Sequence, residues 1–277
     1  MPYETLFYEK RNGVAIVTLS RPAARNALDE VMRRELPAMI AEIRDDAGVS
    51  ALVLTGAGGS FCSGGDLRAM SARPRTAWES RQRIHALHDW LPGLVNLEKP
   101  VIAAVDGPAF GGGFSLALAA DIVLASDRAR FCMVFGRIGL VPDMAAMYLL
   151  PRIVGLQRAK ELVFSARAID APEAQRLGIV MAIHPPETLL EAAIGIASRF
   201  EAASPLALGL SKNILNQSFQ LDQHALAEME SYAQGLCMDS DYHRQAVAAF
   251  LGGQSATFDW EPPVRRHTDK TTGDEQQ

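Results

Sequence analysis

The run VIAAVDGPAFGGGFSLALAADIVLA, residues 101–125, limits what this chain can fold into more than any other segment. It is long enough and apolar enough to cross a bilayer as one helix. Asp106, Pro108, the glycines at 107 and 111–113, and Asp121 argue against that. Lone carboxylates and a helix-breaking ring have no place in hydrocarbon. Strand, turn, helix and second strand fit the same residues better. A strand as uniformly apolar as VIAAV has no polar face to offer water, so both of its faces must be covered. SALVLTGAGG (50–59) repeats the form, and GVAIVTLSRP (13–22) reads as a strand ended by a turn at Arg21-Pro22. ALDEVMRRELPAMIAEIRDD (27–46) spaces its apolar residues as a helix does, with Pro37 a local irregularity. Strands and helices alternating at these intervals predict parallel β–α–β units and an α/β fold.

From about residue 187 the strands stop, and ETLLEAAIGIASRFEAAS, PLALGLSKNILNQS, ALAEMESYAQGLC and YHRQAVAAFLGG all read as helices. EPPVRRHTDKTTGDEQQ lacks periodicity and reads as a disordered tail. A net charge of −5 and a pI near 5.7 argue against nucleic acid as the main partner, so an anionic ligand would need a local basic patch. LRAMSARPRTAWESRQR (67–83), with arginines at 68, 73, 75, 81 and 83 against Glu79, supplies one. A solvated helix face is the competing reading for Arg75, Arg81 and Arg83. Cys62, Cys132 and Cys237 are spaced too irregularly for a disulfide framework or a zinc site. His85 and His88 share a helix face but lack a third ligand, so no metal is expected. The opening MPYETLFYEKRNG carries charges where an export signal needs an apolar core, and a cytoplasmic protein is expected.

Two strands end in glycine turns, within LTGAGGSFCSGGDLRAM (54–70) and AVDGPAFGGGFSLALAAD (104–121). In a parallel sheet, ligands bind at the carboxyl ends of the strands. Each turn can aim a main-chain N–H at one shared point, which favours an oxyanion; glycines that merely permit tight turns would need no ligand.

RPAARNAL (21–28), GGSFCSGGDLRAM (58–70), KPVIAAVDGPAFGGGFSLALAADIVLAS (99–126) and RIGLVPDMAAMYLLPRIVG (137–155) resemble, in order, hallmark segments of the crotonase superfamily. This is the enoyl-CoA hydratase/isomerase family. With SARAIDAPEAQRLGIV (165–180) included, the resemblance spans about residues 3–255. It implies a spiral of ββα units over 1–200, a helical trimerisation region over 201–258, and a tail over 259–277. It also implies assembly as a homotrimer or a hexamer built from two trimers. The substrate implied is an acyl-CoA thioester, with no tightly bound cofactor, nucleic acid or membrane involved. By position, the N–H groups of Gly65 and Gly112 look like the pair that holds the thioester oxygen. Ala24, Arg25, Ser63, Gly65, Asp66, Leu67 and Phe135 fall at substrate- and CoA-binding positions. Relatives often place a lysine or arginine after the final AF motif, whereas this chain reads AAFLGGQSATF.

Hydratases of the family carry two glutamates that activate water; Ser115 and Phe135 occupy those positions here. The nearby carboxylate is Asp143, in GLVPDMAAMYLL, and the segment around it looks most like phenylacetate-type ring-epoxide isomerases. One base suffices to move a proton between two carbons. An isomerase is therefore expected, with Asp143 as base, Gly65 and Gly112 as oxyanion donors, and Ser115 as a possible accessory. Three alternatives remain. Asp143 acts as the nucleophile of an aryl- or acyl-CoA dehalogenase or hydrolase, with His88 where dehalogenases carry a histidine. The chain binds acyl-CoA without catalysis. Or Asp143 is simply the N-cap of the following helix. Phe131, Met133, Val134 and Phe135 are expected to form an apolar wall that raises the carboxylate's pKa.

Overall fold

The computed structural model describes residues 3–260. Strands β1 (Leu6–Arg11) and β2 (Val14–Leu19) form an antiparallel hairpin whose turn residues, Asn12 and Gly13, both take positive φ. Asn-Gly is the pair such turns favour. Helix α1 (Glu30–Asp45) starts at Asp29, whose side chain accepts from the Met32 N–H, and Pro37 sits inside it without ending it. Strand β3 (Ala51–Gly56) leads to the short α2 (Leu67–Ser71) and to α3 (Ala77–Val95), which opens on a capping box between Thr76 and Glu79. Next come β4 (Val101–Val105), β5 (Pro108–Phe110), α4 (Gly112–Leu118), β6 (Ile122–Ser126) and β7 (Arg130–Cys132). A 3₁₀ turn at Val134–Ile138 precedes α5 (Ala146–Val154), α6 (Leu156–Ser165), β8 (Ala168–Asp170), α7 (Ala171–Arg176) and β9 (Ala182–His184).

Six strands form one sheet in the order β1-β2-β3-β4-β6-β9, parallel everywhere except the first pair. β5, β7 and β8 form a second, smaller sheet. The expected parallel β–α–β units account for the large sheet, but the small one had no readable signal. Its strands hold three residues each, too few to show a period, and β5 contains Pro108 within what reads as a turn. Single bridges extend its pattern: Cys62 pairs with Ala109, and Leu28 with Gly65. Each successive unit thus gives one strand to the large sheet and one short segment to the next layer before it turns into a helix.

Side chains alternate across the large sheet, as a period of two requires. Val14, Ile16, Ala51, Val53, Ile102, Ala104 and Leu124 face one core, which α8 (Pro186–Arg199) covers with Leu189, Ala193 and Ala197. Ala15, Val17, Leu52, Leu54, Ala103 and Val105 face the other, under α1, α3 and α4. Both faces being covered explains why these strands read as unbroken apolar runs. The 101–125 run is therefore two strands of the large sheet, a strand of the small one and α4, and no helix among the described residues is long and apolar enough to cross a membrane. Helices α9 (Pro205–Gln217), α10 (Gln223–Met238) and α11 (Asp241–Leu251) follow. Lys212 ties α9 to the core through Asp121, at 2.7 Å. α10 and α11 bury no residue within the chain. Of the tail expected over 259–277, only Asp259 and Trp260 fall among the described residues; the Trp260 ring lies 5.7 Å from that of Phe200.

Asn26 holds together the loops that leave the carboxyl ends of β2 and β3. It is fully buried, with φ +55°. Its Oδ1 accepts from the Arg21 N–H at 2.8 Å, and its Nδ2 donates to the carbonyls of Ala57 and Ser60 at 2.9 and 2.6 Å. Asn26→Ala strands these main-chain groups in a dry loop. Urea unfolding followed by circular dichroism is expected to show a loss of about 2–4 kcal/mol, against less than about 0.5 kcal/mol for the exposed Arg34→Ala.

Candidate active site

The two glycine turns meet back to back. Gly64 has φ +92°, and a Cβ there would stand 2.7 Å from the Phe110 carbonyl oxygen and 3.2 Å from the Gly112 nitrogen. Only a residue without a side chain allows that approach. The flanking main-chain groups are committed: Leu28 N–H donates to Gly64 O at 2.8 Å, Phe110 N–H to Cys62 O at 2.9 Å, and Gly111 N–H to Cys132 O at 2.8 Å. Among the described residues, the N–H groups of Gly65 and Gly112 have no acceptor. Both glycines line a cavity of about 650 Å³, together with Ser63, Leu67, Phe135 and Asp143.

Asp143 reaches this cavity because the chain bends sharply just after it. Met144 and Ala145 take φ +50° and +60°, a left-handed conformation that non-glycine residues rarely adopt in succession. α5 consequently begins at Ala146 with Ala145 as its N-cap and no side-chain cap. The helix-cap alternative for Asp143 is thereby overturned: the bend separates its carboxylate from the donors it would have capped. Oδ1 lies 3.9 Å from where a Cβ on Gly112 would stand. Asp143 is the one carboxylate among the described residues that line the cavity. Burial pushes its pKa above the ordinary aspartate value, while the charges of His88, Arg33 and Arg83 pull it back down.

Other expected residues divide between the cavity and its supports. Ser63 N–H donates to Arg25 O at 2.9 Å and Ser63 Oγ to Ala24 O at 3.3 Å, so Ala24 and Arg25 sit behind Ser63 and do not line the cavity themselves. The Asp66 side chain is taken up structurally: it caps α2 through the N–H groups of Arg68 and Ala69, and pairs with Arg21 at 3.1 Å. Those hydrogen bonds, the one from Ala69 first, hold its pKa below the usual value. Of the expected wall, Val134 and Phe135 line the cavity, but Phe131 and Met133 are buried in the core, Phe131 against the Phe114 ring at 5.3 Å. Consecutive residues cannot all face one way. Ser115 is fully buried in α4, its Oγ donating to Gly111 O at 3.3 Å, and does not line the cavity. His88 is exposed on α3 and outside the lining, and His85 pairs with Asp89 at 3.1 Å. No cluster of metal-ligating side chains occurs among the described residues.

Sequence reasoning missed Arg33, which lines the cavity from α1, and read Arg75 and Arg83 as possible solvent-facing residues although they line it too. A signal for Arg33 existed: at helical spacing it shares a face with the buried Leu36 and Ile40. Arg81 does point outward, over the exposed Trp78 ring at 5.5 Å.

The model of the enoyl-CoA hydratase/isomerase family matches residues 9–261. This chain belongs to that family. It is 37% identical over 252 residues to a short-chain-enoyl-CoA hydratase of Clostridium acetobutylicum, covering 91% of this chain and 96% of the relative. It is 33% identical to the 1,2-epoxyphenylacetyl-CoA isomerase of Escherichia coli, covering 92% and 98%. Among solved structures, an enoyl-CoA hydratase/isomerase from Cupriavidus metallidurans CH34 superposes with a TM-score of 0.88 at 44% identity, covering 95% of this chain and 98% of the other. The α/β architecture with a C-terminal helical segment is thus crotonase-like, and the chain is an enzyme of this family. Overall similarity does not single out the ring-epoxide isomerases, since hydratases match at comparable identity.

The electrostatics of Asp143 give a test that needs no substrate. Carboxyl-carbon NMR titration is expected to place Asp143 above the ordinary aspartate range of about 4. Arg33→Met removes a charge that favours the ionised form and should move it higher still; a titration unmoved or lowered in that variant would contradict the geometry.

Proposed function

We propose that the chain is an acyl-CoA isomerase that shifts a double bond through a thioester enolate, with Asp143 as proton carrier. The Asp143 carboxylate takes a proton from one carbon of the unsaturated acyl chain. The electron pair left behind delocalises onto the thioester oxygen, which the N–H groups of Gly65 and Gly112 hold. The protonated Asp143 then returns the proton to another carbon, so the double bond moves and the carboxylate is regenerated. Donors aimed at the developing charge lower the barrier most, because they need no reorganisation as it forms. Main-chain groups near Ala24, Arg25, Ser63, Asp66 and Leu67 would hold the CoA portion.

The observation that carries this reading is the uncapped Asp143 carboxylate beside Gly112, the one acid among the described residues lining the cavity. A carboxylate of raised pKa is a better base near neutrality. Water activation has less support: Ser115 is buried away from the cavity, and Phe135 presents a ring where hydratases carry an acid. The dehalogenase alternative has less support, since His88 acts on Asp143 by its charge but lies outside the lining.

Incubation of enoyl-CoA thioesters in deuterated water is expected to exchange α- or γ-protons. Asp143→Asn should lower that exchange by at least about 10²-fold while thioester binding persists. Exchange that survives in Asp143→Asn would refute the base assignment, and an acyl or aryl adduct on Asp143 by mass spectrometry would favour the nucleophile instead. We further propose that α10 and α11 join copies of the chain as a trimer or hexamer. Leu236, Phe250 and Leu251 are 57%, 79% and 79% exposed in the single chain, which favours a covering partner. Light scattering should give three or six copies, and Phe250→Glu should lower that number.

A further inference from the structure

The proton-transfer reading leaves the arginines of the cavity unused. Arg33 from α1, Arg83 from α3 and Arg75 from the turn between α2 and α3 all line it, so separate elements deliver them to one place. Two are oriented by main-chain oxygens. Arg33 donates to the Arg83 carbonyl, and Arg75 donates to the carbonyls of Met70 and Ala69 at 2.6 and 3.3 Å. These bonds aim the guanidinium groups without neutralising them. Three nearby acids are engaged elsewhere, Glu79 with Arg73 at 2.9 Å, and Asp29 and Asp66 with Arg21, both at 3.1 Å, while Asp143 and Glu30 act on Arg33 and Arg83 without an ion pair. Among the described residues, none of the three arginines has a carboxylate at ion-pair distance, and the Arg83 guanidinium has no hydrogen-bond acceptor.

Electrostatics fit a site that awaits an anion. Burial, then the nearby charge of Arg83, pulls Arg33 down to about 10; burial, then Arg75, lowers Arg83. Asp143 and Glu30 offset this in part. Arginine side chains carry their charge near neutral pH as a rule, and partly buried like charges cost stability until a counter-charge joins them. An acyl-CoA offers two kinds of anion, the phosphates of its nucleotide and any charged group on its acyl chain. Position favours the second. Arg33 and Arg83 act on Asp143, whose carboxylate stands beside Gly112, whereas a long pantetheine arm carries the phosphates away from the thioester.

We propose that the acyl chain taken by this site carries a carboxylate beyond its reactive carbons, received by Arg33, Arg75 and Arg83. Guanidinium groups suit this ligand because their forked donors match both carboxylate oxygens. The inference rests on the acyl-CoA reading above, and its test separates the two.

Titration calorimetry with saturated thioesters, which have no double bond to shift, compares ω-carboxyacyl-CoAs from glutaryl- to pimeloyl-CoA with unsubstituted acyl-CoAs of equal length. At least one carboxylated thioester is expected to bind the wild-type protein roughly tenfold more tightly than its counterpart. That preference should fall to within about threefold in Arg83→Met and lie between in Arg83→Lys, which keeps the charge and loses the fork. Thermal melts confirm that each variant is folded, and Arg33→Met supplies an independent second variant. Wild-type protein that binds unsubstituted thioesters equally well would overturn the proposal and leave the isomerase reading intact. So would an Arg83→Met variant that loses affinity for free CoA as much as for carboxylated thioesters, since its arginine would then serve the phosphates. Failure of CoA and every thioester to bind would overturn the acyl-CoA reading itself.

Discussion

The structure depends on one main-chain contact, the approach of Gly64 to Phe110 and Gly112, which the bulk of any side chain would prevent. It brings the turn after β3 against the start of α4 and so places the free N–H groups of Gly65 and Gly112 on one cavity. Neighbouring segments hang from the same joint. Leu28 pairs with Gly65 and Cys62 with Ala109, while Asp66 caps α2 and binds Arg21. The sheet behind it is buried on both faces, so the joint has a rigid base. An oxyanion site made of backbone, as proposed for this pair, would need that rigidity, because its donors cannot adjust by rotating side chains.

Charge inside the cavity is set by opposing effects on one carboxylate. Burial favours the neutral form of Asp143, and His88, Arg33 and Arg83 favour its anion. The balance suits the proton carrier proposed for this site. The bend at Met144 and Ala145 is equally part of the device, since a regular helix start would have enlisted the carboxylate as a cap. The arginines therefore have two consequences. They favour the ionised form of Asp143, and they leave their side of the cavity positively charged.

Much of this was legible in the sequence where one residue type carried one meaning. VIAAV and ALVLT could only be strands covered on both faces, and the glycine turns after β3 and β5 do line one cavity. The three-residue strands β5, β7 and β8 were not legible, because pairing with distant neighbours rather than local pattern makes them strands. For Asp143 the local cue pointed to a cap, and only the left-handed bend, which Met and Ala do not advertise, overrode it. Phe131, Met133, Val134 and Phe135 looked equivalent in composition but divide between core and cavity. Arg33 was visible as an arginine on an apolar helix stripe, yet its convergence with Arg75 and Arg83 depends on how α1 packs against α3. Family membership was readable in the motifs; the choice between hydratase and isomerase was not settled by similarity, and rests on Ser115, Phe135 and Asp143.

The most direct measurement is a crystal structure with an unreactive acyl-CoA thioester bound. The account predicts the thioester oxygen within hydrogen-bond distance of both Gly65 N and Gly112 N, with an Asp143 oxygen facing the acyl carbons next to the carbonyl. A thioester oxygen held elsewhere, or an Asp143 carboxylate turned away from the acyl chain, would contradict it.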